Sequence, residues 1–144
     1  MYRILIIIFL FLSCQNKVFK GNNEDFRIIN IEGGTFDMPV TIIITKDIEK
    51  ALSYVQENND SSATKEDFDA RGVTFSVNNG NPPIVWLPSI DSSPENVSIL
   101  NHELLHANFS ILNWAGVYLS DSTEEVFTYN YQFLTKKFYE KYNE

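Results

Sequence analysis

The chain has 144 residues, 44% hydrophobic, 14% aromatic and 21% charged, with 19 acidic against 11 basic residues and a formal net charge of −8. That length and balance fit one globular domain and exclude a disordered chain or a coiled coil. An acidic domain lacks the positive footprint that nucleic-acid binding needs, so nucleic acid is not an expected partner, and a single cysteine rules out an intramolecular disulfide.

Taken in chain order, Arg3 is followed by nine apolar residues, Ile4 to Leu12. Such a run is too short to span a bilayer, which takes about 20 residues. A positive residue, a short apolar run and a small residue form the pattern of an export signal. Cys14 follows Phe11-Leu12-Ser13 directly, and this order resembles a bacterial lipoprotein signal. The resemblance implies cleavage before Cys14 and a lipid anchor on its sulfur. The expected product is an exported, membrane-anchored lipoprotein of the cell envelope. Residues 1–13 then read as signal peptide, 14–25 as a polar tether and 26–144 as a single domain, expected to be monomeric.

The domain reads as strands followed by helices. Phe26 to Ile31 alternates loosely and predicts a strand. Gly33-Gly34 turns the chain, and the β-branched run Val40 to Thr45 predicts a buried strand. Asp47 can start a helix to about Glu57, with Ile48, Leu52 and Val55 on one face. Asn58 to Asp67 is polar and reads as a loop. Val73 to Val77 and Ile84 to Leu87 read as a hairpin around the turn signal Asn78-Asn79-Gly80-Asn81. Pro82-Pro83 and Pro88 flank the second of these strands. Proline donates no ladder hydrogen bond, so Ile84–Leu87 is expected at a sheet edge.

Ser92-Ser93-Pro94-Glu95 is a helix start, and the helix should run through His102 and His106 to about Asn113, with Gly116 ending it. Leu104 and Leu105 are expected to hold it against the core, as are Phe109 and Trp114. Asn101 and Asn108 read as ordinary polar-face residues. Asp121-Ser122-Thr123-Glu124-Glu125 starts a last helix with the apolar stripe Val126, Phe127, Tyr131, Leu134, Phe138 and Tyr142.

The chemistry concentrates at residues 102–106, His-Glu-Leu-Leu-His, which hold both histidines of the chain. Positions i and i+4 share a helix face, so the imidazoles converge where a zinc ion can take both. Glu103 lies beside them and can serve a metal-bound water as general base without ligating the metal. A catalytic zinc site takes three protein ligands and one open position. With no third histidine and Cys14 committed to lipid, the third ligand must be a carboxylate. Glu124 and Glu125 open the following helix, where Ser122–Glu125 also has the form of a capping box that needs no metal.

Together these residues resemble a gluzincin zinc metallopeptidase, most of all the compact minigluzincin type. In that family a second helix carries the glutamate ligand, often as an acid pair with an aromatic four residues later. Here that is Glu124-Glu125 with Tyr129. Val85-Trp86-Leu87-Pro88 is similar to the apolar edge segment that precedes the motif helix. The resemblance spans about residues 72–142. It departs at Thr128, where a small residue is common, and in lacking a separate histidine for the oxyanion. It implies an α+β, zincin-like fold, with a mixed or antiparallel sheet whose edge strand packs on the motif helix. It implies Zn2+ held by His102, His106 and Glu125 (Glu124 being the other candidate), with Glu103 as base. Tyr129 would assist at a ligating histidine or the oxyanion. The implied substrate is a peptide or protein.

Overall fold

The computed structural model describes residues 26–34 and 36–144. The expected signal peptide, the Cys14 anchor and the tether lie outside the described residues. The fold is α+β: a four-stranded mixed sheet with helices on both faces. Its strands are β1 (Arg27–Ile31), β2 (Val40–Ile44), β3 (Val73–Phe75) and β4 (Ile84–Leu87). Helix α1 (Ile48–Asn58) follows β2, and α2 (Pro94–Trp114) and α3 (Glu124–Tyr142) close the chain. The spatial order is β1-β2-β4-β3, with β2 and β4 parallel and the two outer pairs antiparallel.

Residue alternation divides the core between the two faces of the sheet. Ile29, Ile31, Val40, Ile42, Val85 and Leu87 point to α2 and α3, where Leu100, Leu104, Ile111, Leu134 and Phe138 meet them. Ile43, Phe75, Ile84 and Trp86 point the other way, onto Ala51 and Val55 of α1. Strands buried on both sides read as continuous apolar runs rather than alternating ones. Ile84–Leu87 is such a run, and Val40–Ile44 is one apart from Thr41.

This corrects the expected edge. Ile84–Leu87 is interior, paired to β2 on one side and β3 on the other, and all four of its residues are buried. The prolines misled because they stand outside the strand. A proline cannot donate, but its carbonyl still accepts: Pro83 takes the Thr41 N–H at 3.2 Å. The edge next to the motif helix is β3 instead. The hairpin itself forms as expected, with Asn79 at φ 50° and Gly80 at φ 84°, the two positive values of a type I′ turn.

Other expectations needed smaller corrections. The polar stretch after α1 ends in a 3₁₀ turn, Lys65–Phe68, whose Phe68 is buried with its ring 5.3 Å from Phe75 and 5.2 Å from Trp86. Leu105 is exposed, because Leu100, Leu104, Ala107 and Ile111 already form the buried stripe of α2 and Leu105 lies about 100° round from it. Trp114, at the last position of α2, is also exposed, and Val126 stands outside the buried stripe of α3.

Candidate metal centre

Helix α2 carries the motif on a firm base. Ser93 caps it through Oγ, which accepts the Asn96 N–H at 3.3 Å, and Pro94 supplies a preset φ at the first position. Its apolar stripe docks on the sheet and leaves His102 and His106 exposed on the outer face. Their Nε2 atoms lie 3.0 Å apart, with ring planes crossing at 82°. Two nitrogens bound to one tetrahedral zinc at 2.0–2.1 Å stand about 3.3 Å from each other. The two nitrogens stand at hydrogen-bond distance from each other, about 0.3 Å closer than two corners of such an ion, so a bound metal would replace that contact.

Glu103, unlike the two histidines, is buried at 6% exposed, and its Oε2 accepts the Thr74 hydroxyl at 2.7 Å. The same hydroxyl stands 2.9 Å from the Glu103 main-chain carbonyl. Gly72 leaves room for this arrangement, since a Cβ there would stand 3.1 Å from Glu103 Cγ. The general-base candidate is thus tied to the edge strand β3. A groove of about 440 Å³ runs along β3 and is lined by Asn59, Asp60, Asp67, Thr74, Phe75 and Asn78 among others. Hydrogen bonds from the Ser62 hydroxyl and main-chain N–H hold the Asp60 carboxyl below the usual carboxylate range.

The carboxylate candidates stand on the first turn of α3. Both Glu124 and Glu125 are exposed. The Ser122–Glu125 capping box does not form: Thr123 is the N-cap residue and makes no side-chain cap. Its hydroxyl donates instead to the Tyr118 carbonyl at 2.6 Å and accepts the Ser120 N–H at 2.9 Å. Capping thus does not occupy these two acids. Among the described residues, no third His, Cys, Asp or Glu joins the two histidines in a group that could hold a metal.

Tyr129 is 65% exposed and lines a cavity of about 600 Å³ with Gly33, Gly34, Phe36, Val126, Asn130 and Phe133. Neither histidine lines that cavity. Tyr129 thus borders the β1–β2 connection.

Two positioning features escaped the sequence reading. Asn108, expected on a polar face, is fully buried and bridges α2 to α3. Thr74 read only as a strand residue, because a hydrogen bond to a residue 29 positions away leaves no local signal. The exposed Trp114, Tyr118 and Leu119 surround the α2–α3 connection. No helix among the described residues is long and apolar enough to cross a membrane.

No family model matches the chain. No solved structure matches it. A 60-residue stretch, 40% of the chain, is 38% identical to the chaperone protein DnaK of Stenotrophomonas maltophilia (strain R551-3) and covers 9% of that protein. A likeness to under a tenth of a chaperone carries no argument about the site.

Proposed function

We propose that the chain is a zinc-dependent metallopeptidase, anchored at the bacterial cell envelope through Cys14. The observation that carries the reading is the pair of exposed imidazoles with Nε2 atoms 3.0 Å apart on a rigid helix. His102 and His106 would hold the metal, with Glu125 as third ligand and Glu124 as the other candidate. Zinc, when bound, lowers the pKa of a coordinated water and polarises a carbonyl. Glu103 takes a proton from the attacking water and passes it to the leaving amine. Thr74 holds Oε2 of that carboxylate, so Oε1 is the oxygen assigned to the proton. An extended substrate would add to β3, the outer strand beside α2, by main-chain pairing. Tyr129, one helical turn after Glu125, would assist at a ligating histidine or the substrate oxyanion.

A second reading follows from the Glu103–Thr74 hydrogen bond. A carboxylate that is buried and tied to a strand also serves a metal-binding domain that holds a partner and cleaves nothing. Metal analysis of the wild type beside Glu125→Ala and Glu124→Ala tests the site. The proposal expects about one zinc per chain, lost in one of the two variants. Cleavage of a peptide library, abolished by Glu103→Gln with zinc retained, separates the enzyme from the binding domain. No zinc in the wild type would defeat both readings.

A further inference from the structure

We infer that Thr74 is a positioning residue: its hydroxyl fixes the Glu103 carboxylate for proton transfer and links the substrate-binding strand to the base. This rests on the metallopeptidase reading and adds to it a residue that the motif does not contain.

Three observations converge here. Thr74 is the central residue of β3, opposite Val85 of β4, and its side chain faces α2. Its Oγ1 lies 2.7 Å from Glu103 Oε2, a short distance of the kind made by a hydroxyl donating to a carboxylate. Thr74 also lies on the strand to which an extended substrate is proposed to add, beside the groove that runs along it.

Restricting the carboxylate matters physically. A glutamate side chain has several rotamers, and a proton acceptor works only within hydrogen-bond reach of its donor. A hydroxyl has one proton to give. Here it is shared between Oε2 and the Glu103 carbonyl, which constrains both the side chain and its own stretch of helix. The β-branched Thr74 is itself stiff about χ1, so the constraint is built into the strand. A peptide adding to β3 would press on the strand that holds the base. Substrate docking and base orientation are in this way joined through one residue.

The test compares Thr74→Val, Thr74→Ser and Glu103→Gln in the full chain, measuring zinc content, KM and kcat on a peptide that the wild type cleaves. Thr74→Val keeps the shape and removes the donor. The expected result is a fall in kcat of about 10–100-fold, the range for losing the hydrogen-bond partner of a metal ligand, with zinc content and KM retained. Thr74→Ser should restore most of kcat, because it returns the donor. In a Glu103→Gln background, Thr74→Val should add no further loss. An unchanged kcat in Thr74→Val would overturn the inference and leave the metallopeptidase reading standing. So would a Thr74→Ser variant as poor as Thr74→Val, since that would point to packing. If Thr74→Val does not fold, Thr74→Ser and Thr74→Cys decide by whether kcat follows donor strength. A wild type that binds zinc but cleaves nothing would overturn both.

Discussion

Asn130 donates a side-chain N–H to Asn108 Oδ1 at 2.7 Å, and Asn108 donates its own to the Phe127 carbonyl at 3.0 Å. Both asparagines are buried, and this chain of hydrogen bonds joins the helix with the histidines to the helix with Glu124 and Glu125. Cutting one link leaves a buried polar group unpaired. Asn108→Ala should therefore destabilise the fold by about 1–3 kcal/mol, and Asn130→Ala by a similar amount. Urea unfolding would show it, and the double variant should cost less than the sum because the pair is coupled.

If the chain is the zinc protein proposed above, zinc should stabilise its folded form by mass action. At free zinc 100-fold above Kd the gain is about 2.7 kcal/mol, visible as a higher Tm. His102→Ala or His106→Ala should each remove most of that shift, since each takes away one of two converging nitrogens. A shift that survives both substitutions would place the metal elsewhere.

Trp86 tests the corrected strand order. It sits in the interior strand, 3% exposed, and its indole N–H donates to the Thr45 carbonyl at 2.9 Å. Trp86→Ala should cost about 3–5 kcal/mol, the range for large aromatic truncation in a core. A half-exposed edge residue would cost much less. Chemical denaturation reads the difference.

Two glycines should respond for different reasons. Gly80 has φ 84° and no heavy atom within 4 Å of an added Cβ, so Gly80→Ala should cost only the left-handed backbone penalty of about 1–2 kcal/mol. At Gly33 an added Cβ would lie 2.3 Å from the Met38 main-chain N, so the connection itself must move. Gly33→Ala should be the more damaging in thermal melts.

Asp47 gives a pH-dependent signature. Its carboxylate accepts the Lys50 main-chain N–H at 3.2 Å, which is the first cause holding its pKa below the ordinary value. A lowered folded-state pKa gives stability that is present above the unfolded-state value, near 3.9, and is lost as pH falls through the folded-state value. Asp47→Asn keeps a capping acceptor and cannot titrate. Thermal melts from neutral to acid pH should fall more steeply for wild type than for Asp47→Asn in that window.

Much of this organisation could be read from the residues. Ser93-Pro94 and Asp47 marked helix starts because capping is local chemistry, and Asn79-Gly80 marked the hairpin because few residues tolerate two positive φ values. The histidine pair was legible because i, i+4 spacing fixes a shared face. Strand order was not. Whether Ile84–Leu87 lies inside or at an edge depends on Val40–Ile44 returning beside it, and no property of the four residues reveals that neighbour. Pairings such as Thr74 with Glu103 and Asn108 with Asn130 were hidden for the same reason. Each joins residues more than twenty positions apart, through side chains that fit many other settings.

The parallel pairing of β2 with β4 also bears on how the molecule reaches its native state. Thr41 and Ile84 stand side by side although more than forty positions separate them. Such a contact forms only after the intervening chain has paid its closure entropy, whereas the β3–β4 hairpin and the helices can form from near neighbours. The central pairing should therefore be a late and slow event. Until it happens, the motif helix has no finished sheet to dock on, and newly made chains would carry the two histidines before they carry a site.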